Sequence, residues 1–364
     1  MSRKIGILTF QNTNNYGAVL QTYALQRFMR TEMSGDADEI EVIDYFNDAV
    51  TRRETPESIS SIRGVKQAIK FVLNKRAEVK KSDAVRRFCE RYISYSKEEY
   101  YEAADPQFED YAAIIAGSDQ IWNLNLTGGD TKYMLDGYPG KGYSYAASIG
   151  REGIMTAESI GAIKRLRMVS VREIAAQKEL QELGIQTELV CDPTLLIKKD
   201  EWYSLLPERQ IQRRYILLYQ MTSSEFLFKF AQKLAKEKNA ILVNANPISM
   251  QIFKSRCIRD ASPLEWLSLI RSAECVVTNS FHGLAFSINF KKEFYTEIRD
   301  NEAKNSSRIS SLLDILGLTD RNINSGDFKG GFIDYDLIEP KLESYRRVST
   351  DYIKRIIADY QHGG

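Results

Sequence analysis

The sequence predicts an α/β protein built from two doubly wound, Rossmann-like domains with a cleft between them. Three observations predict this. Short apolar runs alternate with amphipathic helical stretches in both halves of the chain. Several of these runs end in small polar residues, and ligands of open α/β sheets bind at the carboxyl ends of the strands. The chain also has 364 residues, more than one typical core holds. The expected division is 1–198 for the first domain, 213–335 for the second, and 336–364 for a C-terminal helix and tail. The linker is expected between Lys198 and Arg213.

Composition narrows the class. An apolar content of 43% with 27% charged residues is that of an ordinary globular protein. No apolar run approaches the roughly 18 residues that span a bilayer. Met1 to Phe10 is too short for a secretory leader and opens as a strand, so a cytoplasmic protein is expected. The four cysteines, Cys89, Cys191, Cys257 and Cys275, form no Cys-x-x-Cys pair. With only two histidines they offer no metal-ligand spacing. Reduced, buried thiols are the expectation, and no metal.

The first strand is Lys4 to Phe10, followed by the polar turn Gln11 to Gly17. A helix with Val19, Leu20, Tyr23, Leu25 and Phe28 near a 3.6 period comes next, then a strand at Ile40 to Tyr45. This βαβ opening lacks Gly-x-Gly-x-x-Gly, so it does not indicate a dinucleotide. Asn14, Asn15 and Tyr16 either line a sugar or anion site or simply shape the turn. Residues 62–92 hold ten Lys or Arg against three acidic residues, with apolar residues at helical spacing. That helix either meets an anionic membrane face or pairs with the acidic stretch Glu98 to Asp110. Nucleic acid is not expected, because no recognition motif accompanies it.

The strand Tyr111 to Ala116 ends in Gly117-Ser118-Asp119-Gln120-Ile121-Trp122-Asn123. Asp119, Gln120 and Trp122 fit a sugar site, with polar groups for hydroxyls and an indole for the ring face. Helix capping by Ser118 and Asp119 is the simpler alternative. Tyr143 to Gly150 forms another strand and turn. Met168 to Val171 leads into Arg172-Glu173, and Glu188 to Cys191 into Asp192-Pro193, where Asp192 reads as a turn-former before proline.

The second domain repeats the pattern with strands Tyr215 to Gln220 and Ala240 to Asn244. Its centre is Ser262 to Ile298: helix, the apolar run Cys275 to Val277, then Thr278-Asn279-Ser280-Phe281-His282-Gly283 and a further helix. The free N–H groups of that helix favour an anion. His362 lies in a terminal His-Gly-Gly, so any proton transfer by imidazole near neutral pH falls to His282.

Taken together, six motifs resemble those of the polysaccharide pyruvyl transferase family, in the family's order. They are Asn14 to Gln21, Gly117 to Asn123, Ser144-Tyr145-Ala146-Ala147-Ser148, Val171-Arg172-Glu173, Asp192-Pro193-Thr194 and Thr278 to Gly283. The resemblance implies a glycosyltransferase-B-like arrangement with the acceptor on the first domain and the donor on the second. It also implies transfer of the pyruvyl group of phosphoenolpyruvate to two hydroxyls of a sugar, forming a ketal and releasing phosphate. The acceptor would be a nascent, lipid-linked surface-polysaccharide unit at the inner membrane face. No cofactor is implied beyond the donor substrate itself.

Under this resemblance His282 and Asp119 are the candidate catalytic residues. His282 is the acid or a phosphate ligand. Arg172 is a candidate clamp, or else forms a salt bridge with Glu173 or a neighbour. Asn279, Ser280, Asn14, Asn15, Tyr16, Gln120, Trp122 and Ser148 are candidate substrate contacts. Some family members carry Arg-Leu-His where this chain has Ser280-Phe281-His282. The missing charge is therefore expected from Arg308, with Lys304 and Arg299 behind it. A nucleotide-sugar glycosyltransferase and a non-catalytic glycan-binding protein are the rival expectations.

Overall fold

Five short apolar segments pair side by side as parallel strands: β1 (Ile5–Leu8), β2 (Ile40–Phe46), β3 (Tyr95–Tyr101), β4 (Ala113–Ala116) and β5 (Lys141–Ser144). Their order across the sheet is β3-β2-β1-β4-β5. β6 (Ser170–Val171) and β7 (Glu188–Leu189) form a small parallel pair that isolated bridges tie to the edge of this sheet. The second domain repeats the plan with β8 (Tyr215–Tyr219), β9 (Ile241–Asn244), β10 (Arg256–Cys257), β11 (Cys275–Thr278) and β12 (Glu293–Thr296), ordered β10-β9-β8-β11-β12. The computed structural model describes residues 4–33, 40–54, 65–208, 211–246, 254–299 and 307–362, with side chains of the helix Val65–Tyr92 described from Lys75 onward.

Both sheets are covered on both faces, so their central strands are buried along their whole length. Each sheet reverses its winding beside its first strand, between β1 and β4 and between β8 and β11. A crevice opens at such a point beyond the carboxyl ends of the strands. The polar turns of the sequence leave those strand ends, and the two crevices face each other. That arrangement sets the site.

The domains are fused by aromatic packing and by the last helix. Tyr16 of the first domain stacks on Trp266 of the second at 5.4 Å, and its hydroxyl donates to the Ala261 carbonyl at 2.7 Å. Trp202 bridges Tyr23 and Phe286 in the same way. The helix Tyr335–Gln361 leaves the second domain and runs back over the first. There Tyr352 donates to the Ser144 carbonyl at 2.9 Å, and Arg167 binds Asp359 through two nitrogens.

Within the stretch from Lys198 to Arg213, Lys199–Leu205 is helical, and Trp202 in it is fully buried. Tyr95–Tyr101, which overlaps the start of the acidic stretch Glu98 to Asp110, forms the edge strand β3. Among the described side chains of the basic helix, Lys80 pairs with Asp260 and Arg86 with Asp83 and Glu90. Among the described residues no helix is long and apolar enough to cross a membrane.

Trp266 is buried and touches Tyr16, Tyr219 and Phe286. Trp266→Ala is expected to cost about 3–5 kcal/mol of unfolding free energy. Tyr16→Phe, which keeps the stack and loses one hydrogen bond, is expected to cost about 1 kcal/mol. Urea unfolding curves measure both; equal losses would mean that the indole stack is not what joins the domains.

Candidate active site

The turn after β11 is built to start a helix and to present a histidine. Ser280 has extended backbone, and its hydroxyl accepts from the Gly283 amide at 3.2 Å, capping the helix Phe281–Asn289. The Asn279 side chain binds the Met221 amide and the Thr222 carbonyl, fixing the neighbouring turn after β8. Gly283 lets the helix close onto its strand: a Cβ there would lie 2.6 Å from Thr278 Oγ1. His282 sits in the first turn, 5% exposed.

The first domain receives this histidine with a glycine. Asn15 caps the helix Tyr16–Glu32 by accepting from the Gly17 amide at 2.9 Å. A Cβ on Gly17 would stand 2.0 Å from His282 Nδ1. The imidazole therefore packs against bare backbone. The Asn-Tyr-Gly motif and the Ser-Phe-His-Gly motif are thus two halves of one contact across the domain boundary.

Beneath the histidine lies a buried ionic cluster. Arg172 donates to Asp192 Oδ2 at 2.5 Å, to Asp119 Oδ1 at 3.1 Å and to Ser118 Oγ at 3.3 Å, and its guanidinium lies 4.6 Å from the centre of the Phe281 ring. Asp192 also accepts from Ser118 Oγ, from the Thr194 amide and from the Thr194 hydroxyl. Its Oδ2 stands 3.7 Å from His282 Nε2, and that nitrogen is buried without a hydrogen-bond partner. Burial opposes ionisation of Asp192, but His282, Arg172 and the Thr194 amide outweigh it and hold the carboxyl far below the usual range. At Asp119 burial is likewise overcome by Arg172, His282 and Arg308, so its carboxylate is held ionised. Glu173 differs: burial pushes its carboxyl up, and it accepts a hydrogen bond from Ser148.

Arg308 approaches from the start of the helix Ser307–Leu316. With the Gln120 amide oxygen turned toward it, the guanidinium donates at 3.1 and 3.3 Å. Arg308 makes no ion pair with any described residue, and its buried Nε has no partner. Burial, reinforced by the like charge of Arg172, pushes this guanidinium down to about 10. A cation at a helix N-terminus is also opposed by the helix dipole. Such a placement weakens the fold rather than supporting it.

These groups line one interdomain cleft of ≈ 420 Å³. His282, Ser280, Asn279 and Arg308 come from the second domain, and Asp119, Gln120 and Asn15 from the first. Asp119 holds a left-handed backbone conformation, φ 76°, which a residue with a Cβ adopts only under constraint.

Other expected site residues lie elsewhere. Trp122 is fully buried and its indole donates to the Tyr133 carbonyl, so it is a core residue and not a platform for a sugar. Tyr16 is spent on the domain contact, and Ser148 is buried against Glu173. Asn14 lines a neighbouring groove with Asn12, Asp44 and Arg86. Arg172 is not an open clamp: it is held in salt bridges with its neighbours Asp119 and Asp192. Arg299 is engaged by Thr222, Ser223 and Glu297. Lys304 falls outside the described residues. Asp192 is the residue that the sequence reading undervalued. Its place one residue before a helix-starting proline was the signal for a cap, and nothing local announced the Arg172 and His282 contacts.

Asp192→Asn removes the charge that balances Arg172. Breaking a buried pair from one side typically costs about 3–5 kcal/mol. The native carboxyl lies below its unfolded value of about 3.9, so its contribution is complete above that pH and is lost as pH falls. The stability gap between parent and Asp192→Asn is expected to be largest near neutrality and to shrink below about pH 4. A gap independent of pH, measured by denaturant melts, would mean that Asp192 acts only as a neutral cap.

Comparison with known proteins adds the family. Solved structures of similar extent include S. aureus MnaA with UDP (11% identity, TM-score 0.49, covering 100% of this chain and 97% of that one). Others are a UDP-GlcNAc 2-epimerase from Methanocaldococcus jannaschii (12%, 0.43, 99% and 100%) and the E. coli heptosyltransferase WaaC with ADP (11%, 0.40, 84% and 90%). No curated protein matches the sequence significantly. The model of one family, described as polysaccharide pyruvyl transferase, matches residues 15–300. That span runs from the Asn15 cap, through Asp119, Arg172 and Asp192, past His282, and the chain belongs to the polysaccharide pyruvyl transferase family.

Proposed function

We propose that this protein transfers the pyruvyl group of phosphoenolpyruvate to a sugar, forming a cyclic ketal on two hydroxyls and releasing phosphate. The observation that carries this reading is the pair of groups facing the cleft at the N-terminus of the Phe281 helix. These are Arg308, a cation without an ion-pair partner among the described residues, and His282, whose Nε2 is buried and unpartnered. Phosphoenolpyruvate carries a phosphate and a carboxylate on three carbons. A guanidinium, an imidazole and free helix amides suit such an anion.

The chemistry needs an acid and a base. His282 supplies a proton to the methylene carbon as a sugar hydroxyl attacks the adjacent carbon. Asp119, held ionised and lining the cleft, accepts the hydroxyl proton. A second hydroxyl of the same sugar then displaces phosphate, its proton returning to His282, and the phosphate leaves toward Arg308 and Ser280. Arg172 touches neither reactant. It keeps Asp119 ionised and, through Asp192, sets the plane of the histidine.

In this reading the acceptor is a unit of a bacterial surface polysaccharide, worked on at the inner face of the cytoplasmic membrane. The basic helix Val65–Tyr92 is the surface that would meet anionic lipid. Removing its exposed Arg76, Arg87 and Arg91 is expected to weaken binding to phosphatidylglycerol vesicles, more so at low salt. If the parent protein does not sediment with such vesicles, the membrane part of the reading is lost.

The donor is tested by thermal melting with phosphoenolpyruvate, with UDP, GDP and phosphate for comparison. A ligand at one hundred times its Kd adds about 2.7 kcal/mol. Stabilisation by phosphoenolpyruvate alone supports the reading, and stabilisation by a nucleotide alone sinks it. His282→Ala is expected to lose about 10²–10⁴-fold in kcat. Arg308→Ala is expected to raise the donor KM about 10- to 100-fold, the worth of a charged hydrogen bond. Gly17→Ala is expected to reproduce the His282 loss with the fold retained, because its new methyl occupies the space of the ring. Full activity in Gly17→Ala would show that the ring position seen here is not the working one.

A further inference from the structure

The cleft has a second wall, and its chemistry differs from the first. His282 and Arg308 stand on the side of the second domain. The first domain lines the same cleft with the apolar Phe10, Val50 and Leu126 and with Arg53. Arg53 closes the helix Asp48–Glu54, which the Asn47 side chain caps by accepting from the Val50 amide at 2.8 Å. One guanidinium nitrogen of Arg53 donates to the Asn125 carbonyl at 2.5 Å, so the head group is held in place. Arg53 has no ion pair among the described residues, whereas Arg52 beside it faces Asp48 at 4.0 Å. It is the one cation that this wall contributes to the cleft among the described residues.

We infer that this wall binds the acceptor, and that the acceptor is an anionic saccharide whose charged group sits on Arg53. The inference rests on the reading of the cleft as a pyruvyl transfer site. A two-substrate transfer must bring hydroxyls to the donor from the side opposite the donor's own cations. A strip of Phe10, Val50 and Leu126 suits the apolar face of a pyranose, and Thr13, Asn15 and Gln120 offer polar groups beside it. A neutral sugar would need no arginine in that lining. A guanidinium with several free N–H groups binds a phosphate or a carboxylate through two parallel hydrogen bonds. Both a sugar phosphate and a uronic acid carry such a group.

The experiment is isothermal titration of the full chain at low salt with two sets of probes. One set is glucose, galactose, mannose and N-acetylglucosamine with their 1-phosphates. The other is glucuronate and galacturonate. At least one anionic sugar is expected to bind about tenfold or more tightly than its neutral counterpart, as a charged hydrogen bond implies. Arg53→Gln is expected to bring that ratio to about one and leave phosphoenolpyruvate binding at the parent level, while Arg53→Lys keeps part of the ratio. A gain with the 1-phosphates alone assigns the group to a glycosyl phosphate, and a gain with the uronates alone to a sugar acid. The inference is overturned if the parent shows no preference for any anionic sugar, or if the preference survives in Arg53→Gln. Should the preference behave as expected while phosphoenolpyruvate fails to bind the parent, the acceptor wall stands and the donor reading falls.

Discussion

One carboxylate holds the centre of this molecule. Asp192 takes Arg172, Ser118, the Thr194 amide and the Thr194 hydroxyl on its two oxygens, and faces His282 from below. Each partner arrives from a different part of the chain: the end of β4, the end of β6, the start of a short helix, and the second domain. A buried carboxylate with that many donors is fixed in position, and it fixes them in turn. Its removal would leave Arg172 charged in a site with little water, which is far costlier than losing one hydrogen bond. The depth of the cleft, the ionisation of Asp119 and the placement of His282 all depend on this cluster.

Around it the two domains are joined so that neither owns the site. Each sheet offers the crevice at its own winding reversal. The crevices are pressed together by Tyr16 on Trp266 and by the returning C-terminal helix. Because His282 rests on the backbone of Gly17, its ring position is a property of the interface and not of its own helix. A change in the angle between the domains would move the histidine relative to Asp119 before it disturbed either core. Packed interiors resist such movement, which makes the stacked aromatics part of the site's accuracy.

The alternation of strands and helices made the fold legible, because a fully buried parallel strand writes itself as an unbroken apolar run. β3 was not legible: Tyr95–Tyr101 is a polar edge strand with charged residues along it, and such composition hides strand character. At the site, His282 was readable because it was the one histidine in a strand–turn–helix position, and Arg308 from the charge missing beside it. Trp122 was misread because an indole in a polar motif looks like a sugar platform until its burial is known. Asp192 and Gly17 act through residues about 90 and 265 positions away, at His282 in both cases. Local sequence carries no mark of such a contact, whereas a cap or a strand end is written within a few residues.

In the proposed reading, Arg308 supplies the charge that is missing beside His282. Here the cation comes from the next helix, where three local terms oppose it: burial, the like charge of Arg172, and the helix dipole. The Gln120 carbonyl and the nearby charges of Asp119, Glu173 and Asp192 offset them only in part. A guanidinium held in that state gains more from an incoming anion than one already paired with a carboxylate, because no existing ion pair must first be broken. The same reasoning separates Arg308 from Arg172. Arg172 is charge-paired with Asp119 and Asp192 and organises the site; Arg308 has no such ion pair among the described residues and retains the capacity to bind. The division of labour between the two arginines follows from which of them the fold has supplied with a counter-charge.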